Sequence, residues 1–183
     1  MQEKDKYDRI YAGNFRYPNT NSLYGSLCHG ANVIKFIDQL DFDTVLDIGC
    51  GRAQFASLML KRGKKVSACD ISQSLIDQLS ISGVKFVCCP MSDIKFNCTF
   101  DLVTAFDVLE HIPEDLIDQS LLELRRVTGK HAIVSVAWHE DEKWGMDLHV
   151  TVKDESWWYD KLNGMFDINI IQRKPHGMFV YMK

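Results

Sequence analysis

The stretch DTVLDIGCGRAQF, Asp43 to Phe55, passes from one kind of structure to another. Residues 45–48 are a short apolar run that carries one acid, Asp47. Gly49 and Gly51 then flank Cys50, and from Ala53 the pattern turns helical, with Phe55, Leu58 and Met59 on one side. Two glycines this close allow a tight turn and let the backbone approach a ligand. The segment therefore predicts a strand, a glycine turn and a helix.

Working outward, strand and helix patterns alternate. Strands are expected at residues 66–69, 84–89, 102–106 and 132–137. Helices are expected at 73–79 behind a Ser72 cap, at 114–127 between Pro113 and Gly129, and at 154–162. Such alternation predicts a parallel sheet with helices on both faces. The tail differs: residues 166–171 and 178–181 read as strands joined through Pro175 and Gly177, and a link that short makes an antiparallel hairpin. The sheet is thus expected to finish in an antiparallel edge. Upstream, residues 26–40 carry Leu27, Ala31, Ile34, Ile37 and Leu40 at helical spacing. Residues 1–24, with Tyr7, Tyr11, Phe15, Tyr17 and Tyr24, read as an irregular arm over the core. Residues 1–183 are read as one domain.

The formal charge of −4 argues against a general nucleic-acid binder. The run Lys61-Arg62-Gly63-Lys64-Lys65 reads as a solvated helix end. Cys28, Cys50, Cys69, Cys88, Cys89 and Cys98 form no C-x-x-C pair, and several sit in apolar runs, which suits a reducing compartment. The opening MQEKDKYDRI is too charged for a signal peptide, and no apolar run is long enough to span a bilayer. A cytoplasmic location without a membrane partner is expected.

In an open α/β sheet, ligands bind at the carboxyl ends of the strands, where strand order reverses. Asp70 ends the second strand about twenty residues past the glycines, a place suited to ribose hydroxyls. The glycine segment reads G-C-G-R-A-Q, so Gln54 departs from the dinucleotide fingerprint. Asp47 would repel a pyrophosphate but suits a cationic ligand. S-adenosylmethionine, with its amine and sulfonium, meets both conditions.

On these residues the chain resembles a known family. VLDIGCGRAQFASLMLKRGKKVSACDIS is similar to the first two motifs of class I S-adenosylmethionine-dependent methyltransferases, FDLVTAFDVLEHIPED to their motif after strand four, and LLELRRVTGKHAIVSV to the helix and strand beyond. The resemblance covers residues 25–183. It implies a Rossmann-like, mostly parallel seven-stranded sheet with an antiparallel last strand. It also implies that Asp47, Gly49 and Gly51 hold the methionine part, that Asp70 holds the ribose and that Ile71 packs on the adenine. Pro90 stands where the family often has an acid, so Met91, Ser92 or Asp93 must serve there; Asp93 could equally just cap a turn. Phe106 completes the candidate cofactor set.

Methyl transfer to oxygen usually needs a base or a metal ion. Two segments offer one: DVLEHI, with Asp107, Glu110 and His111, and the loop at 138–153, with His139, Glu140, Trp144, Asp147 and His149. That loop is expected to form an acceptor lid. His111 and His149 are the candidate bases. Asp107, Glu110, His111 and His149 are together a candidate divalent-metal set, similar to the E-x-x-E-H and downstream His of small-RNA 2′-O-methyltransferases and in part to ubiquinone-pathway O-methyltransferases. The preferred reading gives Glu110 and His111 positioning roles without metal. His29 is a candidate for closing over the cofactor. The expected acceptor is small, an oxygen of a sugar or similar metabolite. The alternatives are an RNA or nucleotide acceptor, a nicotinamide oxidoreductase, which Gln54 and Asp47 disfavour, and a catalytically silent cofactor-binding subunit.

Overall fold

The computed structural model describes residues 2–17, 22–25 and 31–183. Its strands are β1 (Thr44–Ile48), β2 (Lys65–Asp70), β3 (Val84–Cys88), β4 (Phe100–Phe106), β5 (Thr128–Ala137), β6 (Glu142–Lys143), β7 (Met146–Asp147), β8 (Ile168–Lys174) and β9 (Gly177–Met182). Its α-helices are α1 (Glu3–Ala12), α2 (Ala31–Ile37), α3 (Gln54–Lys61), α4 (Gln73–Ile76), α5 (Glu114–Val127) and α6 (Glu155–Asn163). Leu27, Cys28 and His29, counted above toward the helix and the cofactor lid, lie outside the described residues.

Seven strands form one sheet in the order β3-β2-β1-β4-β5-β9-β8. β1 pairs in parallel with β2 on one side and β4 on the other, so the strand order reverses beside β1. The expected α/β sheet is present, with one correction. The antiparallel strand is not its edge. β9 lies between β5 and β8 and runs antiparallel to both, so the edge strand β8 runs with the parallel set. A tight hairpin fixes only that its two arms are antiparallel. Here the second arm, MFVY, is the more apolar and takes the inner place: its residues 177–180 are buried, whereas β8 is half-exposed.

The pleat of β1 sends alternate side chains to two cores. Val45 joins Ile37, Phe55 and Met59 beneath α2 and α3. Leu46 and Ile48 join Ile117, Leu121 and Leu124 of α5 and Trp158 of α6. Among the described residues two helix starts have a side-chain cap: Ser72 accepts from Leu75 N–H, and Asp154 from Trp157 N–H. Gly129 does not end α5. The chain passes at Thr128 straight into β5, and a Cβ at Gly129 would lie 3.0 Å from Phe100 O.

The arm is also corrected. Residues 3–12 form helix α1 rather than an irregular cover, because Tyr7, Ile10 and Tyr11 share a face at helical spacing. That face forms a third apolar cluster with Leu75 after β2 and with Met146 and Leu148 of the 138–153 loop. Asp8 ties α1 to the start of α4, accepting from Ser72 Oγ at 2.7 Å and Ser74 N–H at 2.9 Å. The loop folds as a small hairpin of β6 and β7 whose corner, Trp144-Gly145, has positive φ at both residues. Trp144 packs on Phe15 and Tyr24 with ring centroids 5.0 and 5.6 Å apart. No helix among the described residues is long and apolar enough to cross a membrane.

Candidate active site

The chain leaves β1 through Gly49 and Gly51, at φ +64° and +50°. A Cβ at Gly49 would lie 2.4 Å from Val108 Cγ2, and one at Gly51 would lie 2.7 Å from Gly25 O. Both positions therefore need glycine twice over, for backbone conformation and for space. Ala53 and Asp107, which are not glycines, also sit at positive φ, +57° and +52°. Left-handed non-glycine residues are uncommon and gather at functional sites. These two lie in the turns after β1 and β4, the pair that flanks the switch point.

Asp70 closes the glycine turn. Gly51 N–H donates to its Oδ2 at 3.1 Å and Ser72 N–H to its Oδ1 at 3.0 Å. Burial nevertheless raises its pKa to about 6. Asp47 is buried on the α3 side of the sheet and accepts from Thr104 Oγ1 at 3.0 Å. Burial, aided by the nearby Asp70 charge, lifts its pKa to about 7. Each carboxylate would gain from a cationic or hydrogen-bond-donating neighbour.

Two cavities meet at this point. One, of about 450 Å³, runs past Asp70, Ile71, Met91 and Ser92 and reaches Gln2 and Glu3 at the start of α1. The other, of about 470 Å³, runs past Asp47, Gly51, Phe106 and Glu110 to the β8–β9 turn. Tyr11, Tyr24, Gly49, Asp107 and His111 line both. Asp93 lines neither; it ends the 3₁₀ turn at Met91–Asp93 and pairs with Lys95. Phe106 faces the second cavity rather than the one holding Ile71.

The second wall comes from DVLEHI. Glu110 is fully buried. Its Oε1 accepts from Ala137 N–H at 3.0 Å, and its Oε2 has no hydrogen-bond partner. Burial first, and the Asp107 charge second, hold its pKa well above the usual carboxylate range. His111 Nδ1 lies 2.7 Å from Leu148 O and 2.8 Å from the Tyr7 hydroxyl. A carbonyl can only accept, so the ring proton is assigned to Nδ1 and Nε2 keeps its lone pair. His149 Nδ1 lies 2.6 Å from His139 O, with the same consequence. Burial pushes His111 down to about 4 and lowers His149, so both rings are neutral near pH 7.

A carboxylate oxygen of Glu110 and one ring nitrogen each of His111 and His149 lie within 4.8 Å of one another. This juxtaposes three of the four candidate metal ligands. Asp107 stays outside the group, its Oδ1 accepting from Ser135 Oγ at 2.6 Å. Glu140, Asp147 and His131 line neither cavity. The reading of the sequence missed Tyr7, Tyr11 and Tyr24 as cavity walls, although Tyr7 and Tyr11 are one helical turn apart. It also missed the β8–β9 turn, which no local motif connects to β1.

Comparison with known proteins bears on this arrangement. Residues 45–131 match a family model described as "Methyltransferase domain". The ubiquinone biosynthesis O-methyltransferase of Coxiella burnetii is 32% identical over 94 residues, covering 44% of this chain and 39% of the relative. The chain thus aligns with about two-fifths of the length of that curated relative. The structure of PH0226 protein from Pyrococcus horikoshii OT3 superposes with TM-score 0.76 at 17% identity, covering 97% of this chain and 98% of the other. The Burkholderia thailandensis 1,6-didemethyltoxoflavin-N1-methyltransferase, solved with bound 1,6-didemethyltoxoflavin and S-adenosylhomocysteine, superposes with TM-score 0.67 at 18% identity, covering 100% of this chain and 90% of the other. At these identities the two structures show a shared fold.

Proposed function

We propose that the chain is a class I S-adenosylmethionine-dependent methyltransferase that methylates an oxygen of a small acceptor, a sugar or similar metabolite. One observation carries the reading: two cavities, each sized for a small molecule, share a wall that holds both the glycine turn and His111. The name of the Coxiella burnetii relative, an O-methyltransferase, supports oxygen as the acceptor atom.

The residues fit the cofactor. The turn has no room for a Cβ, Asp70 offers a buried carboxylate at the right strand end, and Asp47 is a buried acid that a cation would stabilise. When bound, S-adenosylmethionine supplies an activated methyl group. Asp70 would hold the ribose, Ile71, Met91 and Ser92 would border the adenine, and Gly49, Gly51 and Asp47 would hold the methionine end. Tyr7, Tyr11 and Tyr24 would exclude water from the shared wall. Positioning two reactants this way supplies much of the rate of a direct displacement. His111 or His149, each with its lone pair on Nε2, would take the acceptor's proton.

A second reading has its own observation. Glu110, His111 and His149 form a compact oxygen–nitrogen donor set, and Glu110 Oε2 is buried without a hydrogen-bond partner. A divalent cation held there would satisfy that oxygen and polarise an acceptor hydroxyl. The Nδ1 bonds to Leu148 O and His139 O would orient the two rings as ligands.

Both readings are tested with methyl-labelled S-adenosylmethionine and a source-cell extract, separated into small-molecule, polysaccharide, RNA and protein fractions. Label in the small-molecule fraction, unchanged by chelator, is the expected result. Label in RNA, abolished by chelator and accompanied by bound metal in the purified protein, would overturn the acceptor assignment and favour the metal reading. Absence of label despite cofactor binding would instead favour a silent subunit.

A further inference from the structure

We propose that Lys174, His139 and His176, on the outer rim of the second cavity, form a site for an oxyacid group, carboxylate or phosphate, carried by the acceptor. The word acceptor rests on the methyl-transfer reading; the charge recognition rests on the rim itself.

The rim is built by the tight link between β8 and β9. Lys174 ends one strand, Gly177 begins the next, and Pro175 and His176 make the corner. The corner is held against the end of β5: Trp138 N–H donates to His176 O at 3.0 Å, and a Cβ at Gly177 would sit 2.7 Å from Val136 O. His176 and His139 therefore face each other across the mouth, ring centroids 6.1 Å apart, and His139 lies 4.8 Å from the ring of His149 deeper in. The Lys174 ammonium lies 4.4 Å from the ring centroid of Phe179, over the aromatic floor of the cavity.

The outer rim, rather than the cavity as a whole, suits an anion. The chain as a whole is acidic. Of the acids that line this cavity, Asp47, Asp107 and Glu110 accept from Thr104, Ser135 and Ala137 N–H, and Asp141 pairs with Lys143. Among the described residues Lys174 has no acidic partner, and neither rim histidine is paired with a carboxylate. An ammonium and two imidazoles converge on one mouth, and all three can donate hydrogen bonds to an oxyanion.

The floor sets the rest of the ligand. Phe55 and Phe106 meet edge to face at 5.2 Å, and Phe179 lies 6.1 Å beyond. This apolar surface, in a cavity of about 470 Å³, suits one flat body. The inferred acceptor is a small ring-bearing metabolite that lays an apolar face on this floor, with an acidic group at the mouth and a nucleophilic oxygen directed inward, toward His111 and His149; this narrows the acceptor proposed above to an oxyacid.

The test is a binding titration of the full chain, alone and saturated with S-adenosylhomocysteine. The probes are 3,4-dihydroxybenzoate, phenyl phosphate and catechol, followed through the ring resonances of His139 and His176. At least one anion should bind about tenfold or more tighter than neutral catechol, as one partly desolvated charge contact allows. K174M should remove that advantage and K174R should keep it; Lys174 is exposed, so both variants should fold. The probe with the larger Lys174 dependence identifies the acid. Equal binding of anions and catechol, or an advantage that survives K174M, overturns the proposal. A chain that does not bind S-adenosylhomocysteine but keeps the anion preference sinks the transfer reading and upholds the rim.

Discussion

Gly49 shows how much chemistry one missing methyl group permits. Its φ of +64° and the 2.4 Å approach of Val108 leave no conformation in which alanine fits unchanged. Val108 precedes Leu109–His111, so a push on it is passed to both Glu110 and His111. Gly49→Ala is predicted to cost about 1–3 kcal/mol of stability through left-handed strain and overpacking. It should also weaken S-adenosylhomocysteine binding at least about tenfold. Denaturant unfolding and calorimetric titration would check this, and an unchanged midpoint with unchanged affinity would refute it. At this scale the sequence was legible wherever a residue's type is dictated by its backbone, as at Gly49 and Gly51. It was opaque where a side chain's direction depends on a distant partner. The pairing of Asp93 with Lys95 and the bond from Ser135 Oγ to Asp107 Oδ1 are of this kind.

Among the elements, α1 is the least expected and the most consequential. It carries Tyr7 to His111, and Lys6 to the 138–153 loop. Lys6 is nearly buried, donates to Asp147 O at 2.9 Å and pairs with Glu3 at 2.5 Å. One helix thus clamps the β6–β7 hairpin over the second cavity. Lys6→Met keeps the apolar stem but removes both polar contacts. It is predicted to cost about 1–3 kcal/mol, with the loss concentrated in the clamp. Hydrogen exchange should quicken at Met146 and Leu148 while β1 and β4 stay protected; uniform or unchanged exchange would count against the clamp. The helix was hidden by its polarity, since only Tyr7, Ile10 and Tyr11 mark its face. The central strands were plain because both their faces are apolar. The hairpin's direction was also plain, but its insertion of β9 beside β5 is a choice between edges, and no local pattern encodes it.

For the whole molecule, the buried acids Asp47, Asp70 and Glu110 make stability depend on pH. Asp47 and Asp70 have pKa values raised from 3.8 to about 7 and about 6 by burial. For an acid raised on folding, the stabilising contribution is complete below the unfolded value and is lost as pH climbs through the folded one. These two groups therefore favour the ligand-free chain near about pH 4 and weaken it toward about pH 7. His111, lowered to about 4, acts in the opposite sense, costing stability as pH falls below its ordinary 6.5. A ligand ammonium beside Asp47 would relieve that acid's penalty. The rise in Tm caused by S-adenosylhomocysteine is thus predicted to be larger at about pH 8 than at about pH 5.5, and Asp47→Asn should flatten the difference. A ligand shift that is independent of pH in the unsubstituted chain would contradict this.

The shared wall between the cavities has a kinetic meaning. Each cavity reaches its own exposed residues, Gln2 and Leu116 for one, His139 and Lys174 for the other. With the adenosine part of the cofactor in the first cavity and the acceptor at the rim of the second, as proposed, neither would lie across the other's way out. Turnover should then pass through a ternary complex assembled in either order, with double-reciprocal lines that intersect rather than run parallel. Spent cofactor could leave while a fresh acceptor is already in place.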